Sequence, residues 1–164
     1  MKLTIDIADS AQKLANFLIS SKHMLVTAES CTGGGVAQVL TDISGSSNWF
    51  DRGFITYSSV SKTEILGINP DIIMQYGVVS HQVASAMAAG ALDQCFAEYS
   101  IAITGIAGPT GGSIEKPVGT VYIAVQKRNQ PAIVVLENFN GNRVEVRLQA
   151  ILKALQLIPS NYAE

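Results

Sequence analysis

The chain has 164 residues, of which 11 are Lys or Arg and 13 are Asp or Glu; at 15% charged it lies below the roughly 25% of an ordinary soluble domain. A hydrophobic share of 48% suits one well-filled core and excludes a disordered chain. A net charge of −2 argues against a dedicated nucleic-acid binder, because phosphate contacts need clustered Lys and Arg.

Apolar residues Ile7, Leu14, Phe17 and Leu18, with Ala11 and Ala15, recur at helical spacing, and Asp9 or Ser10 is placed to cap that helix. His23–Ser30 reads as a short buried strand, and Thr32–Ile43 as a Gly-led helix. After a GSSN turn, Trp49–Ser59 is extended. Ser61 and Glu64, three apart, suggest a capping box for the next helix. Asn69-Pro70 breaks the chain before a short helix through Tyr76. Ser80 then caps a strong helix to Phe96, whose Ala and Gly positions let it lie close to a neighbour. Tyr99–Gly105 is a buried strand. A long Gly- and Pro-rich loop follows, then strands over Gly119–Gln126 and Ala132–Phe139 joined by KRNQP. Residues Asn142 to Leu157 close the chain as a helix. Met24, Met74 and Met87 read as core filler.

Early alternation of helices and strands, then two consecutive strands, predicts an α/β fold: a three-layer α/β/α sandwich with a mixed sheet. No repeat or linker divides it, so one domain is expected over 1–164. The longest apolar run, Val83–Leu92, is far short of the ~20 residues that cross a bilayer. Asp6 and Asp9 interrupt the N-terminus, and no signal peptide is expected. Two cysteines, Cys31 and Cys95, read as reduced cytosolic thiols. His23 and His81 stand alone and neither CxxC nor HxxxH occurs, so no metal is expected.

Three polar, Gly-rich stretches lie at strand ends. In the first, Thr27–Gly35, a helix start favours an anion, and a thiol pKa falls there, which bears on Cys31. Capping by Ser30 or Thr32 explains the same residues equally well. The second, Gly45–Lys62, holds Ser46, Ser47, Tyr57 and Lys62. With His scarce, Lys is the remaining base for a serine, provided that burial lowers its pKa. A solvated Lys62 and a packed Tyr57 are the commoner arrangement. The third, Thr104–Thr120, exposes backbone N–H groups suited to phosphate or an oxyanion, and its length favours a functional loop.

TAESCTGG (Thr27–Gly34), GSSNWFDRGFITYS (Gly45–Ser58) followed by Lys62, YGVVS (Tyr76–Ser80) and TGIAGPTGGSIEKPVGTVY (Thr104–Tyr122) resemble the CinA C-terminal domain family. The resemblance runs from about Asp6 to Leu157. It matches the short, single-domain form, without the additional N-terminal domain of full-length CinA proteins. It implies hydrolysis of the carboxamide of nicotinamide mononucleotide (NMN) to nicotinate mononucleotide and ammonia, in NAD recycling, with no cofactor. By that resemblance Ser47 is the first choice of nucleophile and Ser30 the second, with Lys62 as base and Tyr57 assisting. Thr104, Gly105 and Gly108 would hold the carboxamide oxygen or the phosphate, and Arg143 in NGNRVEVR would clamp phosphate. Ser46, Thr32 and Gly33 are lesser substrate contacts. Gly35 stands where a larger residue is usual, which would alter pocket shape. A cytoplasmic homodimer acting on a small nucleotide, with no nucleic-acid or membrane partner, is expected. The rival reading is a catalytically silent relative that binds a nucleotide or a protein; the test is whether Ser30, Ser47, Tyr57 and Lys62 converge.

Overall fold

The computed structural model describes residues 2–163. Helix α1 (Lys2–Ser21) leads to β1 (Leu25–Glu29), α2 (Gly35–Thr41), a 3-10 turn at Ser46–Asn48, and β2 (Phe50–Ile55). Helices α3 (Ser59–Leu66), α4 (Pro70–Tyr76) and α5 (His81–Asp93) carry the chain to β3 (Tyr99–Gly105). The hairpin of β4 (Thr120–Lys127) and β5 (Ile133–Asn138) and helix α6 (Arg143–Tyr162) complete it. The sheet order is β2-β1-β3-β4-β5. β2, β1 and β3 are parallel; β4 pairs antiparallel with β3, and β5 antiparallel with β4.

Side chains alternate across the sheet because the strand period is two. Leu25, Ile101, Ile103, Val121, Ile123 and Val125 join a core with α1, α2 and α6. Val26, Ala28, Ala102 and Ala124 face the other way, into a core with α5 and the end of α3. The expected α/β/α sandwich is therefore what forms. β1 and β3 are covered on both faces, which is why they read as unbroken buried runs. The small residues of α5 serve as the sequence suggested. Gly90 lies so close to the Leu66 carbonyl that a Cβ would collide with it. Gly119, at φ +96°, needs both its backbone freedom and its missing side chain, since the Phe139 carbonyl fills that space.

Several local expectations are corrected. Residues 2–21 are all helical, so Asp9 and Ser10 lie inside α1 and cap nothing; Ser10 is buried, with the Gln156 amide 3.5 Å away. The capping box of α3 is made by Ser58 and Ser61 rather than by Ser61 and Glu64. α6 runs past Leu157 to Tyr162. Met87 is core, but Met74 is 82% exposed. Gly35 meets the core, not a pocket: a Cβ there would lie 2.6 Å from Ile151 of α6.

The connections fix where a site can form. β1 leads through α2 to β2 on one side, and β2 returns through α3–α5 to β3 on the other. The crevice at the carboxyl ends of β1 and β3 is thus the point where strand order reverses, the usual ligand position in open α/β sheets.

Candidate active site

The turn after β1 is built around Glu29. Ser30 N–H still donates to the Ile103 carbonyl at 3.0 Å, extending the β1–β3 ladder. The chain then reverses through Gly33 (φ 61°) and Gly34 (φ 92°). The buried Glu29 carboxylate accepts from the N–H groups of Gly34 (3.0 Å), Val36 (3.0 Å) and Ala37 (2.9 Å), and from the Thr32 hydroxyl (2.7 Å). The helix start does hold an anion, but the anion is the chain's own. Thr32, expected to touch substrate, instead spends its buried hydroxyl on Glu29. Arg147 of α6 donates to the Thr32 carbonyl at 2.9 Å and covers Gly33. Glu29 and Arg147 were not singled out from the sequence. The available signal was a carboxylate inside an otherwise apolar strand, immediately before the Gly-rich turn.

Lys62 is not a surface residue. It is 1% exposed, on the first turns of α3, with Nζ 3.0 Å from Ser30 Oγ and donating to the Thr56 carbonyl at 2.7 Å. Burial pushes its pKa down from 10.5 to about 8. Ser30 is 8% exposed and so retains a narrow opening to solvent. A neutral Lys62 amine can donate to Thr56 and accept the Ser30 proton at the same time, which is the arrangement of a serine and its base.

Ser47 is placed elsewhere. It sits exposed in the 3-10 turn before β2, and the Leu25 N–H donates to the nearby Trp49 carbonyl. That is the amino end of β1, whereas Ser30 is at the carboxyl end. Five strand residues at about 3.3 Å each put roughly 15 Å between them. Ser46 shares the Ser47 position. Within one chain Lys62 therefore meets Ser30 and not Ser47. Cys31 also departs from expectation: burial pushes its thiol up to about 11, opposing any lowering at the helix start.

Tyr57 is 61% exposed, and its phenol oxygen accepts from Arg143 Nη2 at 3.0 Å. Arg143 Nη1 donates to the Gly108 carbonyl at 2.8 Å. These bonds join the segment carrying Lys62 to a cavity of about 440 Å³ beyond the end of β3. Gly105, Gly108, Val78, Val79, Lys116 and Arg143 are among its walls, and no carboxylate is. Thr104 is buried and steers one wall, donating to the Val78 carbonyl at 2.7 Å. Among the described residues no cluster of His, Cys, Asp and Glu suits a metal ion.

The family model for the CinA C-terminal domain matches residues 7–162. The nicotinamide-nucleotide amidohydrolase PncC of Escherichia coli K12 is 51% identical over 153 residues, 93% of each chain. Its Pseudomonas putida namesake is 41% identical, over 91% of this chain and 92% of that one. Among solved structures, the competence/damage inducible protein CihA of Agrobacterium tumefaciens superposes with a TM-score of 0.92 at 41% identity, over 94% of both chains. Sequence, fold and the matched span agree, and this chain belongs to the CinA C-terminal domain family.

Proposed function

We propose that the chain is a nicotinamide-nucleotide amidase, hydrolysing the carboxamide of NMN to nicotinate mononucleotide and ammonia. Its relatives at about half identity carry that activity in their names. The observation that carries the chemistry is a fully buried Lys62, its pKa lowered to about 8, 3.0 Å from Ser30 Oγ.

The order of the two serines is reversed from the sequence expectation: Ser30 is the nucleophile. Its hydroxyl proton passes to Lys62 Nζ as Oγ attacks the carboxamide carbon, forming the C–O bond and an oxyanion. The Thr56 carbonyl holds the amine in line throughout. The N–H groups of Ala107 and Gly108, which have no partner in the chain among the described residues, stabilise the oxyanion. Lys62 then protonates the departing nitrogen, the C–N bond breaks and ammonia leaves. Water, deprotonated by the again neutral Lys62, attacks the ester. Ser30 takes back its proton as nicotinate mononucleotide is released. Tyr57 holds Arg143 rather than relaying a proton, and Arg143 faces the nucleotide phosphate.

Residues 1–164 act in this reading as one amidohydrolase domain, a cytoplasmic homodimer on a small-molecule substrate. Among the described residues no helix is long and apolar enough to cross a membrane. A silent binding relative gains no support, since nothing in pure binding calls for a buried amine aimed at a serine. Coupled ammonia release from NMN by purified protein tests the proposal, with nicotinamide and nicotinamide riboside as controls. No ammonia above a Lys62→Met background would refute it.

A further inference from the structure

Lys116 has no part in the chemistry above, yet it lines the same cavity as Arg143. Arg143 reaches the cavity from α6, on one face of the sheet. Lys116 is anchored on the connection between α4 and α5, on the other face, where Nζ donates to the Val79 carbonyl at 2.6 Å and the Tyr76 carbonyl at 3.2 Å. An ammonium has three protons, so one is unspent.

The carbonyls nearest to it are already occupied. Each carbonyl from Tyr76 to Val79 already has a donor: Lys116 for Tyr76 and Val79, the Ser80 hydroxyl for Gly77, and Thr104 for Val78. Donors are plentiful on the facing loop. Among the described residues, the N–H groups of Ala107, Gly108, Thr110, Gly111 and Gly112 have no partner in the chain. Gly108 and Gly111 have positive φ, which only glycine holds without strain. Two cations, free N–H groups and no carboxylate make a cavity for an anion, in a chain whose net charge is −2.

We propose that Lys116 is the residue that makes the site select a nucleotide over its nucleoside. Its unspent proton and the N–H groups of Thr110, Gly111 and Gly112 receive the dianionic 5′-phosphate, and Arg143 bounds the group from the opposite wall. This rests on the NMN reading for the identity of the substrate, but not for the existence of a phosphate subsite.

Ammonia release from NMN and from nicotinamide riboside is compared for the wild type, Lys116→Met and Lys116→Arg. Lys116→Met should raise KM for NMN about ten- to a hundredfold, with kcat within threefold. It should leave kcat/KM for the riboside unchanged, and Lys116→Arg should recover most of the loss. Equal losses on both substrates would mean that Lys116 only straps the loop to its wall, and the proposal falls. Acetylation footprinting of the wild type, read by mass spectrometry, covers a variant that does not fold. Ribose 5-phosphate should protect Lys116 and ribose should not; absent protection overturns the proposal. If the wild type released no ammonia, the amidase reading would fail while this footprint still decided the phosphate subsite.

Discussion

Lys62 is the residue on which sequence and structure differ most usefully. Its spacing from Tyr57 suited either a base or an ordinary surface lysine, and only tertiary packing distinguishes them. Burial leaves it with a pKa near 8, so about one tenth is neutral at pH 7. The expected kcat/KM therefore climbs with unit slope to about pH 8 and then levels. A profile flat from pH 6 to pH 9 would remove Lys62 as the base. Lys62→Met should lower kcat about 10²- to 10⁴-fold. Ser30→Ala should be comparably damaging, while Ser47→Ala, at the far end of β1 from Lys62, should stay within about twofold of wild type. The same pKa shift has a stability consequence. Between pH 8 and 10.5 the unfolded lysine binds a proton that the folded one has lost, so stability rises with pH across that window. Below pH 8 the buried ammonium exerts its full cost. Relative to Lys62→Met, the wild type should gain up to ~3 kcal/mol across the window, measured by urea denaturation at each pH. The choice of serine was not legible for a related reason. Both serines lie in motifs, and sequence distance favours Ser47; the parallel pairing of β1 with β2 is what sends Ser47 to the far end.

Among the elements, the turn from β1 into α2 decides where Ser30 points. A seven-residue helix has little stability of its own. Here it is tied down by Glu29, which satisfies N–H groups that would otherwise be orphaned. Glu29→Gln keeps the shape but loses the charge and turns an amide N–H toward other donors. It should cost ~1–3 kcal/mol in urea denaturation and lower kcat, through a displaced Ser30, more than it raises KM. An unchanged kcat would show that Ser30 is held by the β-ladder alone. The sequence made α5 and β3 plain, because Ser80 caps one and the other is an apolar run. It obscured the start of α1, where polar Asp9 and Ser10 resemble a cap although the helical face extends back to Ile7. Caps are read from short patterns, and here the Ser61–Glu64 pair overlaps the Ser58–Ser61 pair that makes the cap of α3.

The molecule as a whole brings to the crevice residues that the chain keeps far apart. Ser30 comes from the carboxyl end of β1, Lys62 from the helical layer on one face, and Arg143 from the last helix on the other. The α/β/α layering was legible because it follows from element order and hydrophobic period. The crevice was not, since it depends on β3 pairing with β1 instead of β2, a choice made by the crossing helices. Arg143 shows what that choice accomplishes. Its bond to Tyr57 spans 86 positions in sequence and closes the gap between the β2 end and the loop after β3. Tyr57→Phe removes only that one bond. If the phenol merely holds Arg143, KM for NMN should rise no more than about fivefold and kcat should not change, because one hydrogen bond from a solvent-exposed guanidinium is worth about 1 kcal/mol. Arg143→Ala removes the charge itself and should raise KM about tenfold or more with kcat preserved. A proton relay through Tyr57 would invert the pattern, with kcat falling about a hundredfold in Tyr57→Phe and KM unmoved. Steady-state kinetics on the two variants thus separates a positioning phenol from a reacting one.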